Sequence, residues 1–368
     1  MGIEHVLQLL GGLGLFLFGM KLMGEGLETV AGSRLKSLLE RITSHPLLGV
    51  LVGLVVTGAI QSSSATTVMV VGFLNAGLLK LSQAVYIIMG ANIGTTVTSF
   101  LIGLKVNDLA LVALFIGMVL MMFFSKKLAQ HIGMVVVGFG ILFTGMNMMS
   151  GAMSPLKDEP VFIELMGSFS NPVLGILAGA VLTAIIQSSS ASVGILQALA
   201  SSGAVSLGGV IYILFGQNIG TCVTALLSSV GSSKEAKKAA LVHLYFNVIG
   251  TIVFLILLYS IHTLAPYVFP FWNSTMGRLD IAVFHLFFNV LCTLLFLPFN
   301  KVLVRLVEFT VSRDKQVQKE TELTNRLDDR FLYSPSVALS QCKSVMTDMF
   351  RLSTANVRKG AETLFNKK

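Results

Sequence analysis

Long apolar stretches separated by short polar or charged segments run along most of the chain. A bilayer core needs about 20 apolar residues per helical crossing, so such stretches predict membrane-spanning helices. We predict long helices at about 6–28, 83–104, 108–125, 131–150, 209–230, 239–260 and 280–300. Four further apolar arms, at 47–60, 65–79, 173–186 and 191–205, are too short to cross at about 1.5 Å per residue. The pattern predicts an all-α integral membrane protein.

The chain contains an internal duplication. Residues 45–103 align without a gap on 171–229 at a constant offset of 126, and 25 of the 59 positions are identical. The most similar segments are the polar run Gln-Ser-Ser-Ser, at 61–64 and 187–190, and Asn-Ile-Gly-Thr, at 92–95 and 218–221. Each Gln-Ser-Ser-Ser run separates two short arms. We therefore expect two re-entrant helical hairpins, each with a polar tip near the middle of the bilayer.

The basic residues orient the helices. Basic side chains lie in the 31–45 loop (Arg34, Lys36, Arg41), at Lys126-Lys127, in the 234–238 segment and at Lys301 and Arg305. Positively charged loops favour the cytoplasm, and this rule also places the C-terminus there. Three crossings per repeat then make the second copy inverted relative to the first, as in many secondary transporters. An acidic loop containing Asp158, Glu159 and Glu164 would lie outside.

This topology divides the chain into four parts. We assign 1–130 to the first transmembrane repeat and 131–260 to the second, inverted repeat. Residues 261–305 form an extracellular loop and the last transmembrane helix, and 306–368 form a cytoplasmic charged linker followed by an amphipathic helix.

Composition supports a membrane protein and excludes other classes. Hydrophobic residues make up 54% of the chain and charged residues 12%, and the mean hydropathy is +0.81. A soluble globule of this size cannot bury that much apolar surface. Three cysteines are too few for a disulfide scaffold, and their spacing predicts no metal site. The net charge of +8 lies in loops, which predicts cytoplasmic loops and no nucleic-acid partner.

The polar tips carry groups that suit an anion and a cation. Serine hydroxyls donate to oxyanions, and the start of a helical arm attracts negative charge. Glutamine and backbone carbonyls can coordinate Na⁺. The candidate anion ligands are Ser62, Ser63, Ser64, Ser188, Ser189 and Ser190. The candidate Na⁺ ligands are Gln61, Thr66, Asn92, Thr95, Gln187, Ser192, Asn218 and Thr221. Because no carboxylate lies within an apolar core, coupling to Na⁺ fits better than a proton relay.

His243 and Asn247, spaced i,i+4, lie on one helix face, as do His285 and Asn289. We expect His243 and Asn247 to support the site, either by lining its cavity or as hydrogen-bonding contacts between helices. Of these two readings we favour the contacts between helices. Small polar residues also promote close helix packing in membranes, but two copies of the polar run favour a binding site.

The paired Gln-Ser-Ser-Ser runs, each followed about thirty residues later by Gly-x-Asn-Ile-Gly-Thr, resemble the type II sodium–phosphate cotransporter family over roughly 5–305. The resemblance implies that 61–64 and 187–190 bind Na⁺ and inorganic phosphate, and that the hairpins move against a scaffold in alternating access. The His243–Asn247 segment is similar to the family's helix after the second repeat. At the first-repeat position, Ala113–Gly117 lacks the Asp of electrogenic animal members, so stoichiometry stays open.

The tail differs in character from the rest of the chain. Residues 312–330 are densely charged and predict a linker, and an amphipathic helix is expected from Ser336 onward. Its apolar positions are Val337, Leu339, Val345, Met349, Phe350 and Leu352. The segment 327–335 resembles the junction into the PhoU-like domain of bacterial members. We expect a tail that docks a cytoplasmic regulator.

The leading hypothesis is a Na⁺-coupled phosphate transporter in the plasma membrane of a bacterium, with no cofactor beyond Na⁺. Import and export would use the same site, and a homo-oligomer is compatible with the sequence. The alternatives are a transporter of another oxyanion or a small carboxylate, a passive anion channel, and an intramembrane serine hydrolase. The hydrolase would use one of Ser62–Ser64 as nucleophile and His243 or His285 as base.

Overall fold

The computed structural model describes residues 3–31, 45–104, 107–155, 159–201, 205–264, 274–311, 327–333 and 335–365. Asp158 and the basic residues Arg34, Lys36 and Arg41 lie outside the described residues. The helices are α1 (Ile3–Ala31), α2 (Pro46–Ile60), α3 (Ser63–Asn75), α4 (Leu81–Gly103), α5 (Asn107–Phe123), α6 (Lys127–Met153), α7 (Pro160–Ser168), α8 (Pro172–Ile186), α9 (Ser189–Ala200), α10 (Leu207–Ser228), α11 (Lys234–Leu264), α12 (Arg278–Phe296), α13 (Asn300–Thr310) and α14 (Pro335–Phe365). A short 3₁₀ helix spans Asp329–Tyr333.

The described chain is helical, and six of its helices are long and apolar enough to cross a membrane: α1, α4, α6, α10, α11 and α12. This confirms the prediction of an all-α integral membrane protein. Helix α5 has 17 residues and is not among the six. At about 1.5 Å per residue it is slightly short of a core about 30 Å thick.

Two short helices were not predicted. Helix α7 occupies much of the expected acidic loop, so Glu164 lies on a helix. Pro160 stands in its first turn, where the missing N–H costs nothing, and Met166 on the same helix is buried. Helix α13 follows the last span after a break at 297–299. Helix α13 is amphipathic, with Leu303 and Val307 buried one turn apart.

The buried side chains form two clusters. The larger one fills the space between α3, α4, α9, α10, α11 and α12. At its centre the Phe215 ring lies 4.8 Å from the Phe288 ring and 6.4 Å from the Phe254 ring, measured between centroids. The smaller cluster centres on Phe16 of α1 and Phe143 of α6, and residues of α4, α5 and α9 complete it. Helices α4 and α9 contribute to both clusters and therefore connect them.

Helices α1 and α6 cross at glycines. A Cβ on Gly12 would lie 2.8 Å from the Gly145 carbonyl oxygen, and one on Gly19 would lie 2.7 Å from the Gly138 carbonyl oxygen. The offset of 126 relates Gly12 to Gly138 and Gly19 to Gly145. Each contact is therefore repeated with the roles of the two halves exchanged, as across a two-fold axis.

The same close approach supports each short arm. A Cβ on Gly53 of α2 would lie 2.1 Å from the Ile87 carbonyl oxygen of α4. In the second half, a Cβ on Gly179 of α8 would lie 2.1 Å from the Ile213 carbonyl oxygen of α10. Helix α2 is therefore held against α4, and α8 against α10, at backbone-to-backbone distance.

The charged segment before α14 ends in a docked structure. Phe331 is buried, and its ring lies 5.1 Å from the Phe73 ring of α3. Asp328 accepts a hydrogen bond of 2.7 Å from the Asn75 amide and forms a 2.6 Å ion pair with Arg330. Residues 312–326 of the predicted linker lie outside the described residues. The last residues of the predicted linker are therefore not solvated, because the side chains of Asp328, Arg330 and Phe331 anchor them to the end of α3.

The predicted amphipathic tail helix is present as α14. Val345 is buried, whereas several other apolar side chains of the predicted face are exposed. The exposed ones are Leu339, Met349, Phe350 and Leu352. The side chain of Val337 lies outside the described residues.

The glycine crossing between α1 and α6 predicts a stability difference within one helix. Gly19→Val should destabilise the protein by about 1–3 kcal/mol, because its Cβ would lie 2.3 Å from the Leu142 backbone nitrogen, which cannot move aside. Gly14→Val is the matched control, since nothing lies within 4 Å of a Cβ there. Thermal unfolding of the purified protein in detergent measures both. Equal melting temperatures for the two variants would contradict the crossing.

Candidate functional site

Each Gln-Ser-Ser-Ser run is a break between two helices. Gln61 ends α2 with φ 59° and ψ 25°, and Gln187 ends α8 with φ 56° and ψ 23°. In the described chain, these are the two non-glycine residues with positive φ. The left-handed conformation costs a non-glycine residue roughly 1–2 kcal/mol. A glutamine retained in it at both breaks indicates that the side chain has a use which glycine could not serve.

The next serine of each run caps the following helix. The Ser62 hydroxyl oxygen accepts the Ala65 N–H at 3.1 Å, and that of Ser188 accepts the Ala191 N–H at 3.2 Å. Capping uses the oxygen and leaves the hydroxyl hydrogen able to donate. The first turns of α3 and α9 also present backbone N–H groups that have no acceptor within their own helix. The start of each second arm therefore suits an anion.

The two breaks meet. The hydroxyl oxygens of Ser63 and Ser189 lie 3.4 Å apart, and the Ser64 hydroxyl donates to the Gln187 carbonyl at 3.4 Å. Ser63 and Ser189 are equivalent positions of the duplication, at 63 and 63 plus 126. The structure thus brings both polar runs to one place.

The second motif of each half packs beside its break. Thr57 of α2 donates to Thr66 of α3 at 3.0 Å, and a Cβ on Gly94 would lie 2.7 Å from the Thr57 Cβ. In the second half Thr183 donates to Ser192 at 2.8 Å, and Gly220 faces Thr183. Both predicted motifs of each half therefore contribute to one region. The threonines at 57 and 183, which the sequence analysis did not select, connect them.

The predicted Na⁺ ligands on α4 and α10 are buried and bonded to their own helices. The side-chain amide nitrogens of Asn92 and Asn218 each donate at 3.0 Å to the carbonyl four residues earlier. Thr95 and Thr221 donate likewise, at 3.1 and 2.8 Å. Each asparagine uses a donor in this way, which leaves its side-chain carbonyl oxygen as the group that could bind a cation.

The two glutamines differ in environment. The Gln61 side-chain oxygen accepts from Thr98 at 2.8 Å, and its amide nitrogen donates to the Gly58 carbonyl. Gln187 is exposed. The equivalence of the two residues in sequence therefore does not extend to their side-chain contacts.

A cavity of about 360 Å³ lies against the two breaks. Gln61, Ser62 and Ser188 line it, together with Thr98 and the C-terminal half of α1. Ser63, Ser189 and Ser190 are buried and are not among the lining residues. Of the six serines predicted to bind an anion, one from each half therefore faces this cavity directly.

Charged residues that the sequence analysis did not select also line the cavity. Lys21, Glu25 and Glu28 of α1 face it, and Lys21 and Glu25 form an ion pair of 3.8 Å. The sequence did contain a signal for these charged residues, which is their position on α1. The spacing i, i+4, i+7, i+11 places one helix face at Leu17, Lys21, Gly24 and Glu28.

His243 and Asn247 lie behind the second motif. The Asn247 amide donates to the Cys222 sulfur at 3.4 Å and to the His243 carbonyl at 2.9 Å. The Cys222 thiol lies within hydrogen-bond distance of the His243 and Asn218 carbonyls, at 3.4 and 3.5 Å. These contacts link α11 to α10 one turn beyond Asn218. They fit a supporting role through contacts between helices.

Comparison with known proteins identifies related sequences. The model of the family described as Na+/Pi-cotransporter matches residues 15–151 and 157–271. The Bacillus subtilis (strain 168) protein YqeW is 36% identical over 238 residues, which cover 64% of this chain and 76% of YqeW. YjbB of Escherichia coli (strain K12), whose name is "Putative inorganic phosphate export protein YjbB", is 29% identical over 346 residues, or 91% of this chain and 61% of YjbB.

A human protein is similar over a shorter segment. The human sodium-dependent phosphate transport protein 2B is 37% identical over 110 residues, or 29% of this chain and 16% of that protein. No solved structure matches the chain significantly. The family and its named relatives are transporters and not enzymes, so the hydrolase alternative is set aside.

The capping role of Ser62 predicts different effects for two substitutions. Ser62→Ala should lower stability by about 1 kcal/mol, because the Ala65 N–H loses its acceptor. Ser62→Gly should cost only a few tenths of a kcal/mol, since glycine is tolerated at this helix position. Chemical unfolding of both variants in detergent measures the difference. If both lost the same stability, Ser62 would not act as the cap.

Proposed function

Because the chain belongs to the Na+/Pi-cotransporter family, we propose that it couples Na⁺ to the movement of inorganic phosphate across a membrane by alternating access. The observation that carries the proposal is the meeting of two equivalent serines, Ser63 and Ser189, at the tips of two broken helices, beside a cavity that Ser62 and Ser188 help to line. The chain spans 61% of the length of YjbB, so the proposal concerns the transmembrane part that the two share.

The two halves are related as inverted repeats in this proposal. A two-fold axis in the membrane plane would bring a residue near the axis into contact with its own equivalent, as at Ser63 and Ser189. It would also exchange the contacts of α1 and α6, as at Gly12–Gly145 and Gly19–Gly138. The pairs α2–α3 and α8–α9 are then re-entrant hairpins that enter from opposite sides of the membrane.

Phosphate would bind where the two second arms begin. Ser62 and Ser188 keep their hydroxyl hydrogens available after capping, and the N-terminal ends of α3 and α9 add backbone N–H groups. Donors to an anion retain their strength where water is excluded. Na⁺ would use neutral oxygens from the glutamines at 61 and 187 and from the asparagines and threonines of the second motifs.

The two packing clusters supply the moving parts. Helices α1, α5 and α6 would form the scaffold, and the hairpins with α4, α10, α11 and α12 would form the moving group. The buried Phe16 ring of α1 lies against α9, where a Cβ on Gly194 would be 2.1 Å from the Phe16 Cζ atom. The Phe16 ring packs against a single glycine position, and a contact this small can be broken and formed again when the two groups of helices move.

The setting is the plasma membrane of a bacterium, with the C-terminal tail in the cytoplasm. The basic start of α11, at 234–238, would face the same side as the tail. The docked segment at Asp328–Phe331 fits this arrangement, because it contacts Ser228, Ser232 and the end of α3 together. A cytoplasmic regulator acting on α14 would therefore reach the first hairpin through the docked segment.

Transport in proteoliposomes tests the function. We expect saturable uptake of radiolabelled phosphate under an inward Na⁺ gradient and none under an equal K⁺ gradient, with competition by arsenate but not by sulfate. Competition by sulfate or a carboxylate would move the substrate to that class. Flux that is independent of Na⁺ and does not saturate would favour the passive anion channel.

The double variant Ser62→Gly with Ser188→Gly tests the phosphate site. It removes two donors and keeps the caps tolerable, so we expect the KM for phosphate to rise at least about tenfold with little change in melting temperature. Ser82→Ala, an exposed position at the start of α4, is the control. An unchanged KM in the double variant would remove these hydroxyls from the site.

A further inference from the structure

The second copy of the Gly-x-Asn motif differs from the first at its middle position. The first copy reads Gly90-Ala91-Asn92 and the second Gly216-Gln217-Asn218. Gln217 is 1% exposed, so the larger polar side chain is wholly inside the protein. An amide buried to this extent needs partners for both its nitrogen and its oxygen.

Only one half of the Gln217 amide has a partner among the described residues. Its nitrogen donates at 3.0 Å to the Ser192 carbonyl, in the first turns of α9. Its side-chain oxygen has no hydrogen-bond partner within the described chain and is shielded from solvent. The orientation of the amide is determined, because the Ser192 carbonyl accepts and cannot donate. The unpartnered atom is therefore a carbonyl-type acceptor.

Ser192, whose carbonyl accepts from this amide, also has a buried hydroxyl group. The Ser192 hydroxyl accepts from Thr183 at 2.8 Å, and both side chains are fully buried. Gly179 brings α8 close to the Gln217 backbone, since its Cβ would lie 2.9 Å from the Gln217 nitrogen. Gln217 thus lies where α8, α9 and α10 meet. A buried acceptor left unpaired is unfavourable, and a bound cation would satisfy it.

We propose that the side-chain oxygen of Gln217 is a Na⁺ ligand at the second hairpin, with no counterpart at the first hairpin, where Ala91 stands. The inference rests on the proposed Na⁺-coupled function and adds an asymmetry to it. Neutral carbonyl and hydroxyl oxygens are the ligands expected for Na⁺ beside a broken helix. The two halves would then bind Na⁺ with different affinities, although their Gln-Ser-Ser-Ser runs are identical.

Two variants remove the ligand in different ways. Gln217→Ala reproduces the first-half residue, and Gln217→Met keeps the side-chain volume without an oxygen. Gln197→Ala is the matched control. Gln197 is on α9, is also fully buried, and also has a side-chain oxygen without a partner in the described chain. Its amide nitrogen donates to the Ser99 and Arg278 carbonyls, at 2.9 and 2.8 Å, and so lies at the other end of the arm.

Two measurements separate binding from transport. The first is the melting temperature of the purified protein as NaCl replaces choline chloride at constant ionic strength, without phosphate. The second is the Na⁺ concentration that gives half-maximal phosphate uptake in proteoliposomes. We expect both Gln217 variants to require at least about tenfold more Na⁺ in each assay, and Gln197→Ala to require the wild-type concentration.

The possible failures are distinct. If the wild type responds to Na⁺ and both Gln217 variants keep its half-saturation, Gln217 is not a ligand, and the proposed function stands. If Gln197→Ala weakens the response to Na⁺ as much as the Gln217 variants do, the effect is structural and the assignment is overturned. If the wild type itself shows no Na⁺ response in either assay, Na⁺ coupling fails and this inference fails with it. If Gln217→Ala does not accumulate, the volume-preserving Gln217→Met decides.

Discussion

A helix that is interrupted among apolar surroundings must satisfy its backbone groups without water, and the rest of this structure depends on how that is done at two points. The left-handed turns at Gln61 and Gln187 return their own N–H groups to the preceding turn, and Ser62 and Ser188 cap the helices that follow. Three of these four residues, Gln61, Ser62 and Ser188, also line the cavity. In the proposed transport function, fold and binding chemistry would therefore be carried by the same side chains.

The breaks are held in place by helices that approach closely. Gly53 and Gly179 let the first arms rest on the backbones of α4 and α10, and Gly94 and Gly220 do the same next to Thr57 and Thr183. Since membrane helices gain little from burying apolar surface, such close packing is what determines their positions. The asparagines of the second motifs lie in the same turns as these glycines, so the packing that positions the arms also positions the candidate cation ligands.

The sequence predicted the elements well where hydrophobic length and duplication determined them. The first arms, expected at 47–60 and 173–186, begin one residue earlier and end as predicted. The second arms were extended too far, because Gly77 ends the first in a left-handed turn that apolar composition does not reveal. The contact between Phe331 and Phe73 joins residues far apart in sequence, and no local pattern predicts it. The sequence shows Gln217 as a difference between the two copies. That its side-chain oxygen has no partner among the described residues follows from the packing of α9 against α10, which the sequence does not show.

The contact between Ser63 and Ser189 also bears on how such a chain could have arisen. A residue that touches its own duplicate would, in a protein of one repeat length, touch the same residue of a second molecule inserted in the opposite orientation. The interface between the halves would then predate the joining of the two genes, and an antiparallel homodimer would already have contained the paired serines. While one gene specified both sides, differences such as Ala91 and Gln217 could not exist, so they would date from after the gene was duplicated.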